Sequence, residues 1–329
     1  MKSILNKLFA HNKLTKQEAK QVLLDISKGV YNEAQVAVFM GVFMMRSVSV
    51  EELTGFRSAL MELCIPVDLE GQSSIDLCGT GGDGKNTFNI STTTSFVVAG
   101  AGYKVSKHGN YGVSSLCGSS NVLEHLGYSF TNDVDILKIQ LDKANICFMH
   151  APLFHPAMKF VAPIRRALGV KTFFNMLGPL VNPAQPTHQS VGVFNLELSR
   201  LYNYILNEAG TKYSIVYALD GYDEVSLTGQ SLVIDTHGEK LINPEQFGSS
   251  KLSPEDIYGG ETIKEAAAIL VSVLKNESTQ AQKNAVIANS ALAIKCFEEG
   301  KSLLDCVAAA RESIESGKAF DCFEKVIEN

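Results

Sequence analysis

The chain has 329 residues, of which 35 are Asp or Glu and 29 are Lys or Arg, for a net charge of −6. That balance by itself says nothing about a polyanion partner, while 45% hydrophobic residues are enough for a substantial core in one or two domains. Seven cysteines, Cys64, Cys78, Cys117, Cys147, Cys296, Cys306 and Cys322, form no close pairs and are odd in number, so neither a disulfide framework nor a zinc ribbon is expected.

The amino terminus is charged and polar after its first few residues, so no signal peptide is expected and the protein is read as cytoplasmic. The longest apolar run, 36–45, is too short to span a bilayer and reads as a buried helix, capped by Asn32 and followed by Arg46. Thr15 with Glu18 and Ser49 with Glu52 carry capping-box spacing and start two more helices. An all-helical unit is therefore expected over 1–66, and Pro66, Gly71 and the intervening acids form a hinge before strand-like patterns begin at Ser74.

A short apolar strand from Ile75 then runs into Gly79-Thr80-Gly81-Gly82-Asp83-Gly84, followed by a helix start near Asn89, Ser91 and Thr92. Glycine lets the main chain turn at positive φ and bring N–H groups close to an anion, and a helix N-terminus adds further donors. A phosphate or pyrophosphate is the expected ligand, with a purely structural turn as the plain alternative. Two better-known loops fit poorly. A dinucleotide fingerprint needs an acid about 20 residues on, yet no Asp or Glu occurs between Asp83 and Glu124. A nucleotide P-loop needs a hydroxyl after Lys85, where Asn86 stands.

Between Gly84 and Leu123 the notable ionisable groups are Lys85, Lys104, Lys107 and His108. They are interleaved with Val, Ala, Gly and Ser rather than Glu and Gln, which favours an electropositive pocket for a small anion over a solvated basic face. A second strand, 103–106, leads into Lys107-His108-Gly109-Asn110-Tyr111-Gly112-Val113-Ser114-Ser115. Apolar runs at 190–194, 215–219 and 232–234 alternate with helical patterns such as 198–208, as in a parallel α/β sheet, and the tail from Thr262 is mostly helical. A third strand-to-loop junction, Asp220-Gly221-Tyr222-Asp223-Glu224, follows the run 215–219. Adjacent acids in a loop are usually just solvated. Beside a pyrophosphate they approach through a hard divalent cation such as Mg²⁺.

Taken together, these residues resemble the anthranilate phosphoribosyltransferase family over nearly the whole chain. The markers are Gly79-Thr80-Gly81-Gly82-Asp83 with Asn89, Ser91 and Thr92, then Lys107-His108-Gly109-Asn110 and Gly118-Ser119. Further on come His155-Pro156-Ala157-Met158-Lys159 leading to Arg165, Asn175-Met176-Leu177-Gly178-Pro179-Leu180-Val181-Asn182-Pro183, and Asp223-Glu224. The resemblance implies a small all-helical domain plus a larger α/β domain with a mostly parallel central sheet. The helical domain, 1–66, would be completed by about 166–186, leaving 73–165 and 187–329 to the α/β domain.

By the same resemblance, Gly79, Thr80, Gly81, Gly82, Asp83, Thr87, Asn89, Ser91, Thr92, Lys107 and Ser119 bind phosphoribosyl pyrophosphate. Ser91, Asp223 and Glu224 hold Mg²⁺. Gly79, His108, Asn110, His155, Arg165 and Pro179 line the anthranilate site, Arg165 being suited to a carboxylate by its planar fork of donors. His150 and His155 read as a packed neighbour and a substrate contact rather than a metal pair. The commoner pattern has Arg where Tyr111 stands and Asp where Asn121 stands.

The implied reaction displaces pyrophosphate from C1 of the ribosyl ring by the amine of anthranilate. No single nucleophile or base is expected, because an aromatic amine is already unprotonated at neutral pH and the ring oxygen stabilises positive charge at C1. A homodimer through the helical domain is implied, with apolar surface offered by the Met- and Phe-rich run 39–45. A pyrimidine nucleoside phosphorylase-like transferase and a non-enzymatic nucleic-acid-binding relative are the alternatives. The intact pyrophosphate loop and Asp223-Glu224 count against the first, and the retained loops and net negative charge against the second.

Overall fold

The computed structural model describes residues 1–112 and 117–328. Its chain divides into two units, Met1–Pro66 with Ala151–Pro183, and Val67–His150 with Ala184–Asn329.

The first unit is helical. Its amino-terminal part is made by the helices Lys2–Phe9, Lys16–Ser27, Glu33–Met45 and Val50–Leu63, and reciprocal capping boxes at Thr15, Asn32 and Ser49 start the last three. Phe39, Phe43, Phe56 and Phe173 form its aromatic core, with ring centroids between 4.5 and 6.1 Å apart. Glu52 is completely buried and accepts from both Arg46 Nη atoms and from the N–H groups of Leu14 and Ser49. The helix over 36–45 is buried on one face only. Val36, Phe39, Met40 and Phe43 point inward, whereas Val38, Met44 and Met45 are exposed, Met45 at 89%. An apolar run of this length goes around the whole helix, so part of it must face outward.

The returning segment begins at Ala151, earlier than the expected 166, and ends at Pro183. Its early entry has a local cause. Ile65 donates to the Phe154 carbonyl at 2.8 Å, Phe154 is fully buried, and His155 meets the Val181 carbonyl at 2.9 Å.

The second unit is built on seven strands: β1 (Ile75–Gly79), β2 (Val105–Gly109), β3 (Ile146–His150), β4 (His188–Gly192), β5 (Lys212–Ala218), β6 (Ser231–Asp235) and β7 (Gly238–Ile242). Their order in the sheet is β3-β2-β1-β4-β5-β6-β7. The first five are parallel, and β6 and β7 are antiparallel. The run 232–234 thus departs from the parallel expectation, because no helix intervenes between β5 and β6 to carry a crossover. Helices Ile90–Gly100 and Gln280–Phe297 supply much of the buried apolar surface of this unit, including Phe96, Val97, Val286 and Leu292.

Strand β2 starts later and runs further than the expected 103–106. Lys107 and His108 lie on the strand itself, in register with Phe148 and Met149 of β3. The His108 N–H also donates to the buried Asp76 carboxylate of β1 at 3.1 Å.

Candidate active site

The C-terminal ends of β1 and β4 meet at a pair of glycines, Gly79 opposite Gly192. Neither position has room for a side chain. A Cβ on Gly79 would fall 2.4 Å from Asp223 Oδ2, and one on Gly192 only 1.4 Å from the Asp223 carbonyl oxygen. The two glycines therefore make a notch in which Asp223 sits. The chain after β1 completes it: Thr80 N–H donates to the Gly192 carbonyl at 2.9 Å, and Gly81 N–H donates to Asp223 Oδ2 at 2.6 Å. Gly81 and Gly82 take φ values of 66° and 79°, which L side chains rarely adopt.

Asp223 and Glu224 follow the turn after β5. Burial, and next the charge of Asp83, push the Asp223 carboxyl up to about 7, opposed by the Gly81 N–H. Burial and the Asp223 charge likewise push Glu224 up, against the pull of Lys107 and of a hydrogen bond from the Ser91 backbone. Lys107 is 2% exposed and donates its ammonium to the Leu77 carbonyl. A buried lysine thus lies close to a group of three carboxylates. Lys85, at the edge of the glycine loop, sits 4.6 Å from the centroid of the Tyr222 ring.

The Ile90–Gly100 helix begins at Asn89, whose Nδ2 donates to the Cys117 carbonyl at 3.1 Å. Its Oδ1 is buried without a hydrogen-bond partner, as is the Thr80 hydroxyl. Ser91 and the buried Thr92 occupy the first turn, and Thr87 forms a bridge with Tyr258. Beside the glycine loop, the Thr80 hydroxyl can donate to a ligand oxygen and Asn89 Oδ1 can accept from a ligand hydroxyl. Among the described residues no three His, Cys, Asp or Glu side chains enclose a metal ion. Two adjacent carboxylates beside an anion-binding loop do fit a Mg²⁺ held by a few protein oxygens together with phosphate oxygens.

Beyond β2, Asn110 and Tyr111 are exposed, and Ser119 opens the Ser119–His125 helix. The Ser119 hydroxyl donates to the Asn110 carbonyl at 3.4 Å. Val113, Ser114 and Ser115 of the second motif lie outside the described residues. His150 packs between the Phe130 ring and the edge of Tyr111, with Ser120 Oγ 2.9 Å from its Nδ1.

His155, Arg165 and Pro179 belong to the helical unit. Burial lowers the His155 imidazole to about 4, countered in part by the Val181 carbonyl. Arg165 donates to Asn175 Oδ1 at 3.2 Å, and its guanidinium lies 5.4 Å from the Phe174 ring centroid. Pro179 is buried in the turn Gly178–Leu180.

Three residues given no site role from the sequence contribute to this geometry. Asp76 fixes the β2 backbone beside Lys107, Gly192 seats Asp223, and Asn121 receives two backbone N–H groups, from Gly112 and Gly118. Gly192 had a visible signal, a glycine near the end of an apolar run, and Asn121 had one as a departure from the commoner pattern. The pairing of Asp76 and of Asn121 appears only once strands and loop ends are brought side by side.

A mostly parallel sheet with a glycine loop at its strand ends, in a chain that also carries a helical unit, fits a class of group-transfer protein. Residues 71–320 match the glycosyl transferase family a/b domain, and residues 2–64 match the helical bundle domain of the same family. The anthranilate phosphoribosyltransferase of Cytophaga hutchinsonii is 54% identical over 327 residues, spanning 99% of this chain and 100% of that protein. That of Christiangramia forsetii is 55% identical over 326 residues, 99% of this chain and 98% of that one. Among solved structures, the Thermus thermophilus anthranilate phosphoribosyltransferase superposes with a TM-score of 0.91 at 31% identity, covering 98% of each chain. The Saccharomyces cerevisiae enzyme in complex with PRPP and Mg gives 0.92 at 27%, covering 99% of this chain and 96% of that one. The chain belongs to the anthranilate phosphoribosyltransferase family and is a phosphoribosyltransferase. Among the described residues, no helix is long and apolar enough to cross a membrane.

Proposed function

We propose that the chain transfers the phosphoribosyl group of phosphoribosyl pyrophosphate to the amine of anthranilate in tryptophan biosynthesis. The products are N-(5′-phosphoribosyl)-anthranilate and pyrophosphate. The observation that carries this reading is the glycine notch: Gly79 and Gly192 seat Asp223 directly beside the Gly81 N–H of the anion loop. A phosphoribosyl donor needs that combination of backbone donors and carboxylates, whereas a nucleic-acid-binding surface does not.

The second unit holds the donor. Gly79, Thr80, Gly81, Gly82, Asp83 and Thr87 form the loop around the pyrophosphate, Asn89, Ser91 and Thr92 present the helix start, and Lys107 and Ser119 add a cation and a hydroxyl. Asp223, Glu224 and Ser91 would hold Mg²⁺, which when bound neutralises charge on the departing pyrophosphate. His108, Asn110, His155, Arg165 and Pro179 bind anthranilate. The buried His155 stays neutral at physiological pH, so among the anthranilate residues Arg165 is the cation for the carboxylate. Catalysis rests on alignment and electrostatics, with no proton abstracted from the amine before attack.

Two further features extend the reading. The exposed Val38, Met44 and Met45 offer the helical unit an apolar face for a homodimer. All seven cysteines are free thiols, which suits a reducing cytoplasm.

The test follows anthranilate fluorescence with purified protein, phosphoribosyl pyrophosphate and Mg²⁺, and again with the metal chelated. Fluorescence is expected to fall only when donor and metal are both present. The paired substitution Asp223→Asn with Glu224→Gln is expected to abolish the Mg²⁺-dependent rate. A flat trace from folded wild-type protein would overturn the reaction, and an unchanged Mg²⁺ dependence in the double variant would overturn the metal assignment.

A further inference from the structure

The two chain segments on either side of residues 113–116 are fastened together by contacts that the donor- and acceptor-binding roles do not use. Asn121 Oδ1 accepts from both Gly112 N–H and Gly118 N–H, each at 3.0 Å. One side-chain oxygen thereby ties the outgoing chain to the returning one. Around it, Ser120 N–H donates to the Asn110 carbonyl at 3.2 Å, and the Tyr111 hydroxyl donates to Glu124 Oε1 at 2.7 Å. The backbones approach so closely that a Cβ on Gly118 would lie 2.1 Å from the Gly112 nitrogen.

We propose that Asn121 is a positioning residue for the acceptor, which with the Tyr111–Glu124 hydrogen bond holds Asn110 in the place from which it meets anthranilate. This rests on the assignment of Asn110 to anthranilate made above. The direction of the effect follows from what each side is anchored to. Ser119 stays on its own helix when the tie is cut, and Lys107 stays in β2 with its backbone paired to β3. Asn110 lies one residue past the end of β2 and is exposed, so its place depends on the neck contacts. Loosening the tie therefore affects the anthranilate side before the pyrophosphate side.

The oxygen of Asn121 is what matters here, because the donors are two backbone N–H groups. An aspartate at this position keeps an acceptor, and an alanine removes it. Tyr111 acts through its hydroxyl on Glu124, and a phenylalanine keeps the ring against His150 while losing that bond.

The experiment measures KM for each substrate and kcat for Asn121→Ala, Asn121→Asp, Tyr111→Phe and Asn110→Ala, with melting temperatures to confirm folding. Asn121→Ala is expected to raise the anthranilate KM about tenfold, the effect of losing roughly one net hydrogen bond, with the phosphoribosyl pyrophosphate KM changing much less. Asn121→Asp is expected to restore most of the loss, and Tyr111→Phe to shift the same constant in the same direction. Equal changes in both KM values, or an Asp variant as impaired as the Ala variant, would overturn the proposal. If Asn110→Ala leaves the anthranilate KM unchanged, the underlying site assignment falls instead. If Asn110→Ala raises it and Asn121→Ala does not, only the positioning role falls.

Discussion

The glycine notch makes the sharpest prediction, because two similar substitutions on neighbouring strands should differ greatly. Gly192→Ala would place a methyl group 1.4 Å from the Asp223 carbonyl oxygen, about 2 Å short of ordinary van der Waals contact. The atom in the way is backbone, so the turn carrying Asp223 and Glu224 must move as a whole. Gly79→Ala instead meets the Asp223 carboxylate at 2.4 Å, a clash that side-chain rotation can partly relieve. A misplacement of about 1 Å at a reacting centre can cost roughly 10²-fold in rate. Gly192→Ala is therefore expected to lower kcat/KM by about 10²-fold or more and to raise the Mg²⁺ concentration needed for half-maximal rate. Gly79→Ala should be impaired less in metal dependence. Initial rates from anthranilate fluorescence across a Mg²⁺ titration would measure both. A Gly192→Ala enzyme with wild-type kcat/KM and an unchanged metal requirement would show that Asp223 is not held by this notch.

Lys107→Met keeps the length of the side chain but leaves Glu224 without its neighbouring ammonium, so kcat/KM for phosphoribosyl pyrophosphate is expected to fall about 10²-fold; an unaltered value would remove Lys107 from the site. Glu52→Ala strips the partner from Arg46 and the acceptor from two N–H groups, and should cost about 3–5 kcal/mol of stability, read as a lower urea midpoint at constant pH. Burial raises the Glu52 carboxyl, but Arg46 and the Leu14 and Ser49 N–H groups hold it below its ordinary value of 4.5 on balance. Its stabilisation is then complete above about pH 4.5 and is lost as pH falls through the lower folded value, so the Ala variant should show a shallower loss of stability in acid than wild type. His155 has its folded value lowered from 6.5 to about 4, so the unfolded chain takes up the proton first as pH drops. Stability should decline between those two values by roughly 3 kcal/mol. An NMR titration that finds this imidazole protonating near 6.5 would refute the burial argument.

Much of the local structure was legible because local rules set it. Capping residues three apart ahead of an apolar run start helices through local contacts, and Thr15, Asn32 and Ser49 each do so here. The glycine loop was legible for a similar reason, since positive φ at Gly81, Gly82 and Gly84 can be anticipated from residue type. What failed were features set by distant neighbours. Lys107 and His108 looked like loop residues because their side chains are polar, but pairing with β3 and the buried Asp76 keeps them on the strand. The return to the helical unit at Ala151 was missed because residues 151–165 form short helical turns whose membership is set by contacts such as Phe154 with Ile65.

The candidate site divides along the same line. Donors that a loop supplies by its own backbone could be named from sequence, as could the paired acids after an apolar strand. The depth at which those acids sit could not, since it depends on Gly79 and Gly192 facing each other across two strands separated by more than a hundred residues. Either glycine alone would read as an ordinary turn former. In register they remove two side chains from one spot and let Asp223 approach the Gly81 N–H. Burial in the notch changes the chemistry, because a solvated aspartate would stay ionised, whereas burial and the charge of Asp83 push this one up to about 7 against the pull of the Gly81 N–H. The site's electrostatics are thus a consequence of strand order: without the crossover that puts β4 beside β1, the same acids on the same loop would be an exposed pair with little hold on a ligand.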